Sequence, residues 1–256
     1  MKSVRLKEEA SRIAELVRQS ANYLLRGGEG AVAAKQVQLD ELWSFVGKKE
    51  KRATYEERAK GLGDVWTYYA LDRDTKLVIA YRVGDRDMAT THAFVHDLAD
   101  RLAGRCQITS DGMHIYRSAV EAAFGWWGTD FGQLVKVYKS DWEAAKGRYS
   151  PAECIGAEKS VVMGNPDPDM ISTSHVERMN LTTRMQVRHF TRLTNAYSKK
   201  LANHLYAVAL HVMWVNFCRP SQALSKGRNK VTPAMAVGLA DRVWTAEDIL
   251  DLMAEH

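Results

Sequence analysis

The sequence predicts an α/β protein built on a mixed sheet, in the order β-β-β-α-β-α-β-α. Three observations predict it. Runs rich in Val, Tyr, Trp and Ile come first as a group of three, separated by turn residues. Apolar residues at helical spacing then alternate with two more strand-like runs. The first three runs form an antiparallel meander, and the alternation beyond them makes the sheet mixed, flanked by helices.

The elements follow in order. Over residues 5 to 25, Leu6, Ile13, Leu16, Val17 and Leu24 mark an amphipathic helix ended by Gly27-Gly28. A small, flexible linker follows, so residues 1–34 form a helical appendage and residues 35–256 the main domain. Val37 to Val46 reads as a strand, with Val37 and Leu39 on one face and Asp40 on the other. Gly47 to Lys60 is charge-dense, a hairpin tip or a DNA-touching loop. Val65–Leu71 and Leu77–Val83 are strands joined by the turn Asp72-Arg-Asp-Thr-Lys76. Thr90 to Leu102 spaces Phe94, Leu98 and Leu102 as a helix. Cys106–Ser110 is a short strand ending at Asp111-Gly112, His114 to Phe124 a helix, and Gln133–Tyr138 the fifth strand. Residues 139–169, with Gly147, Pro151 and Gly156, read as an irregular excursion. Ser174 with Glu177 three residues on has the form of a capping box opening a helix. Ser198 to Phe217 carries Leu201, Leu205, Val208, Val212 and Val215, a core helix laid on the sheet with His204 and His211 at its edge. Thr232-Pro233 and Thr245-Ala-Glu-Asp248 are helix starts.

Composition narrows the class. The 256 residues carry a net charge of +5, a modest basic bias compatible with a polyanionic partner. Cys106, Cys154 and Cys218 are widely separated, with no metal-ligand spacing, which fits a reducing compartment and disfavours a structural zinc site. The first residues lack an apolar signal region, and no uncharged apolar run reaches the roughly 18 residues of a membrane span. A cytoplasmic location is the expectation.

The chemistry gathers around three acids. Asp40 sits mid-strand among apolar neighbours, where an ionised carboxylate is costly without compensation. Asp111 ends a strand, and Glu177 opens a helix. Taken singly, Asp40 could face solvent beside Glu41, Asp111 could be an Asp-Gly turn, and Glu177 a cap partner beneath a solvated arginine face. Taken together, strands one and four lie side by side at the centre of such a sheet, and a helix against them adds the third acid. Carboxylates so placed suit Mg²⁺ or Mn²⁺, and a pair of such ions about 4 Å apart serves phosphodiester displacement. On the helix, Glu177, Leu181, Arg184 and Arg188 fall on one face. Arg178, Arg192, Lys199 and Lys200 extend the positive charge for a phosphate backbone, with His175 and Asn180 close enough to join them.

Several motifs recur in one order: Gln38-Leu-Asp-Glu-Leu-Trp-Ser-Phe-Val46, Val83-Gly-Asp-Arg-Asp87, Thr109-Ser-Asp-Gly112, Ser174-His-Val-Glu-Arg-Met-Asn-Leu181 and Phe190 to Lys200, then Asn216-Phe-Cys-Arg219 and Thr232-Pro-Ala-Met235. Over roughly residues 35 to 250 they resemble the insertion-sequence-one type of bacterial transposase. That resemblance implies an RNase H-like mixed five-stranded sheet and a DDE triad at Asp40, Asp111 and Glu177. It also implies cleavage at transposon ends with two Mg²⁺ or Mn²⁺ ions, attack of the freed 3′-hydroxyl on target DNA, and a homo-oligomer on DNA. Such proteins generally carry an N-terminal DNA-binding region. Here the sequence offers a single helix, which leaves three readings open: one product of a frameshifted pair with a separate DNA-binding chain for end recognition, a truncated copy, or a domesticated remnant. A nuclease on the same fold and a catalytically idle DNA-binding derivative are the alternatives. Asp85 and Asp87 have turn and cap positions, and Trp126, Trp127 and Trp142 read as packing residues.

Overall fold

A computed structural model describes residues 31–126, 128–138, 154–191 and 195–254. In chain order the elements are β1 (Gln36–Val46), α1 (Tyr55–Ala59), β2 (Gly63–Asp72), β3 (Val78–Gly84), α2 (Met88–Ala99), β4 (Gln107–Asp111), α3 (Ile115–Phe124), β5 (Asp130–Tyr138) and β6 (Cys154–Met163). They continue as α4 (Ser174–Gln186), α5 (Leu201–Met213), α6 (Pro233–Ala236) and α7 (Ala246–Ala254). The expected N-terminal helix, Trp127 and Trp142 lie outside the described residues.

One sheet runs in the order β3-β2-β1-β4-β5-β6. β1, β2 and β3 are the antiparallel meander, β1 and β4 pair in parallel, as do β4 and β5, and β6 returns antiparallel to β5. The fold is thus the expected mixed α/β sheet flanked by helices, compatible with an RNase H-like fold, with six strands rather than five. The sixth lies in the stretch read as irregular. Ile155 to Ser160 is mostly exposed and interleaves Gly, Ala, Glu and Lys. Such an edge strand buries little, so its sequence lacks an apolar face, and its pairing with β5 makes it a strand.

Neighbouring residues of a strand point to opposite faces, which is why the central strands are apolar on both. Val37, Leu39, Tyr68 and Ile108 pack with Phe94, Val95 and Leu98 of α2 and Tyr116 and Val120 of α3. Leu42, Tyr69 and Leu71 pack with Val176 and Met179 of α4 and Val208 and Val212 of α5. Each such side chain removed from water contributes roughly 1.5–3 kcal/mol.

Local chemistry opens the helices in different ways. Thr54 and Glu57 make a complete capping box at α1, so part of the charged stretch after β1 is a short helix. Asp87 caps α2, accepting from the Thr90 N–H at 2.8 Å, the cap role its position indicated. The box expected at Ser174 does not form. Thr173 is the N-cap of α4, and Gln38 of β1 accepts from the His175 and Val176 N–H groups at 2.9 and 3.1 Å. α4 stops at Gln186, and Arg188 lies in the 3₁₀ turn Arg188–Phe190, off the expected row. His204 and His211 are core residues rather than edge residues, at 0% and 5% exposure. Among the described residues no helix is long and apolar enough to cross a membrane.

Candidate active site

Parallel pairing sets the site. Val37 lies beside Ile108 and Gln38 beside Thr109, a register that brings Asp40 level with Asp111, where β4 ends and β1 continues. A cleft of about 660 Å³ opens at this step. Asp40 of β1, Asp111 of β4 and Glu177 of α4 line it, with Arg86, His114 and Lys136 in its walls. A second groove of about 470 Å³ shares Asp40 and Glu177 and runs past Asn180, Leu181 and Arg184.

Each acid is held differently. Asp40 is half-buried, and Asn180 Nδ2 donates to its Oδ2 at 2.8 Å. Burial, then the charges of Glu41 and Asp111 and more weakly that of Glu177, raise its pKa to about 7, against a bond from the Glu41 backbone. Asp111 Oδ1 accepts from the Met113 N–H at 3.0 Å, and Gln133 Nε2 donates to the Asp111 carbonyl at 2.9 Å, fixing the strand end. Glu177 Oε1 accepts from Thr173 Oγ1 at 2.5 Å and from Lys136 Nζ at 2.6 Å. With Lys136 opposite, Glu177 lines the cleft while it also accepts from the hydroxyl of the N-cap residue Thr173.

Glu41 is the residue sequence reasoning missed. It points to the other face of β1, and its side chain is only 1% exposed. Arg86 donates from Nε to its Oε2 at 3.2 Å, lies 3.7 Å from Asp111 Oδ2, and stacks on Trp66 at 4.8 Å. Burial first and Asp111 second raise the Glu41 pKa to about 6, and Tyr116 and Arg86 oppose the rise. Its Oε1 and the Tyr116 hydroxyl are both buried, and the phenol lies close enough to oppose that rise without a well-formed hydrogen bond. Asp40, Glu41 and Asp111 each offer an oxygen within 4.8 Å of the others, a set that could hold a metal ion. The available signal was Asp40-Glu41 in a strand apolar on both faces: one acid must then enter each layer, and Arg86 in Val83-Gly-Asp-Arg-Asp87 is the nearby cation.

The basic residues divide. Arg184 lines the groove and donates to the Phe190 carbonyl at 3.2 Å, and Arg188, Lys199 and Lys200 are exposed. Asn180, expected to meet DNA, lines the groove at 8% exposure with its amide on Asp40. His175 and Arg178 sit on the opposite flank of α4, in a separate pocket. Arg192 lies outside the described residues. Trp126, expected to pack, is 52% exposed.

No curated protein is significantly similar in sequence. Among solved structures the chain is similar to the transposase in a piggyBac synaptic complex with hairpin DNA, at 11% identity and a TM-score of 0.35. The likeness covers 88% of this chain and 52% of that one, so this chain spans about half the length of that transposase. Residues 33–142, the stretch that carries Asp40, Glu41, Arg86 and Asp111, match the family model of the IS1 transposases, and the resemblance borne by the sequence motifs is to that family.

Proposed function

We propose that the chain is a DNA transposase that cleaves at the ends of a mobile element and joins the freed 3′-hydroxyl to target DNA, with Asp40, Asp111 and Glu177 as its catalytic carboxylates. The observation that carries this reading is the meeting of three acids from β1, β4 and α4 around one cleft. The IS1 family match over residues 33–142 supports it.

The donor set fits a hard divalent cation. All its atoms are carboxylate oxygens, and a bound dication would offset both the burial and, after it, the acid–acid repulsion that raise Asp40 to about 7. Asp40 and Asp111 would hold one Mg²⁺ or Mn²⁺, and Glu177 would complete the site of a second. Bound there, such ions supply activation of the attacking oxygen and stabilisation of the leaving one. The protein's own part is positional. Asn180 fixes one oxygen of Asp40, the Met113 N–H one oxygen of Asp111, and Thr173 with Lys136 the carboxylate of Glu177. Arg184, which lines the groove, and the exposed Arg188, Lys199 and Lys200 would contact backbone phosphates. Bringing two ends together calls for at least two copies on DNA.

The test is nicking of DNA that carries the element's ends, with Mn²⁺, by wild type and by Glu177→Ala. Loss in the variant is expected, and equal activity defeats the assignment. A strand-transfer product separates a transposase from a nuclease, and DNA binding without any nicking marks an idle derivative.

A further inference from the structure

α4 carries two polar rows on opposite flanks of its buried stripe Val176, Met179, Asn180 and Thr183. Glu177, Leu181 and Arg184 border the acid groove. His175, Arg178 and Thr182, spaced by three and four residues like the first row, border a different pocket of about 370 Å³. Across that pocket stand Lys76 from the β2–β3 turn and Arg219, which follows the π-helical turn Trp214–Cys218. Three cations and a histidine thus line it, and among the described residues no carboxylate does. Among the described residues neither Arg178 nor Arg219 has a side-chain ion pair, and both are exposed. Lys76 adopts φ 64°, a left-handed conformation rare for a residue with a side chain. Its Nζ lies 3.3 Å from His175 Nδ1 and donates to the Arg73 carbonyl.

The charges in this pocket oppose one another. Burial is the main cause lowering the pKa of both Lys76 and His175; Lys76 and Arg73 further lower His175, and Arg73 lowers Lys76. Asp74 offsets this at both groups and Asp72 at Lys76, yet neither aspartate lines the pocket. A concave site with surplus positive charge attracts an anion, and Leu71, Met179 and Val215 supply its apolar floor.

We propose that this pocket grips a phosphodiester of DNA distant from the scissile bond, so that α4 stands between the strand being cut and a second stretch of duplex. The identity of the polyanion rests on the transposase reading, but the grip itself needs neither metal nor cleavage. It is therefore tested in EDTA, by fluorescence anisotropy of a labelled duplex with wild type, Arg178→Ala/Arg219→Ala and the charge-keeping Arg178→Lys/Arg219→Lys. The alanine pair is expected to raise Kd on the order of tenfold and to lower the slope of log K against log salt by about one for each phosphate no longer held. The lysine pair should keep most of both. Unchanged Kd and slope in the alanine pair overturn the pocket while leaving the cleavage reading intact, and a wild type that binds no duplex overturns both. A failure to nick alongside the expected binding loss sinks only the catalytic assignment. Inorganic phosphate is the second probe: if it binds wild type but not the alanine pair while duplex affinity is the same in both, the pocket takes free phosphate and the proposal falls.

Discussion

At the scale of single residues the acid cleft is a problem in charge. With divalent ions chelated, the Asp40 carboxyl has a pKa near 7 in the folded chain, against the 3.8 of an ordinary aspartate. The folded state therefore binds the additional proton in that interval, and the stability it confers is present below pH 3.8 and lost as pH rises through 7. Asp40→Asn removes this loss. In EDTA above pH 7 the variant should be more stable than wild type by about 1–3 kcal/mol, the gap closing toward pH 4. Millimolar Mn²⁺ should reverse the order, because only wild type keeps the full donor set. Thermal melts with and without Mn²⁺ measure both effects, and identical melts in EDTA would show that Asp40 carries no excess charge energy. Asp40, Asp111 and Glu177 were legible as candidates because acids in strand and cap settings are conspicuous against apolar neighbours. Glu41 was not, since its partners Arg86 and Tyr116 come from other elements and nothing local announces the pairing.

At the scale of elements the informative contrast is between two sequence signals of the same form. Thr54-x-x-Glu57 makes its box, whereas Ser174-x-x-Glu177 does not. The difference is tertiary. Gln38, 1% exposed on β1, delivers its carbonyl to the His175 and Val176 N–H groups of α4, while the Ser174 N–H that Glu177 would cap donates to Ser172 Oγ and Glu177 accepts from Lys136 at the cleft. A bond between residues 137 positions apart cannot be read from local pattern. The same holds for β6, which has partners but almost no apolar face of its own. Gln38→Leu should therefore leave two N–H groups without an acceptor and cost about 2 kcal/mol of stability. It should also weaken Mn²⁺ binding, because Glu177 rides on the turn that Gln38 anchors. Denaturant unfolding and titration calorimetry would check the two effects. A variant with lowered stability but unchanged Mn²⁺ affinity would show that the cap does not position the site.

At the scale of the whole molecule two sets of buried titratable groups pull the pH dependence of stability in opposite directions. α5 carries His204, between Ser44 Oγ at 3.3 Å and Ser198 Oγ at 3.0 Å, and His211, 3.1 Å from Thr183 Oγ1. Burial, with lesser contributions from His189 and Arg219, lowers both pKa values from 6.5 to about 4. A depressed histidine stabilises the fold above the unfolded value and loses that contribution as pH falls toward the folded one. Each is worth up to about 3 kcal/mol across this interval. Asp40 and Glu41, raised to about 7 and about 6, act oppositely over an overlapping range. In EDTA the two effects should largely cancel, giving a shallow stability profile between about pH 4 and 7. Saturating Mn²⁺ removes the carboxylate arm, so stability should then climb with pH up to about 6.5. His204→Gln/His211→Gln in EDTA removes the other arm, so stability should fall as pH rises. Urea midpoints measured across this range in the three conditions give three different slopes on this account, flat, rising and falling. The Mn²⁺ profile decides whether the acids of the cleft and the histidines behind it are energetically opposed within one fold: if wild type with Mn²⁺ stays as flat as wild type in EDTA, the cation has not discharged the carboxylates and the site does not hold it.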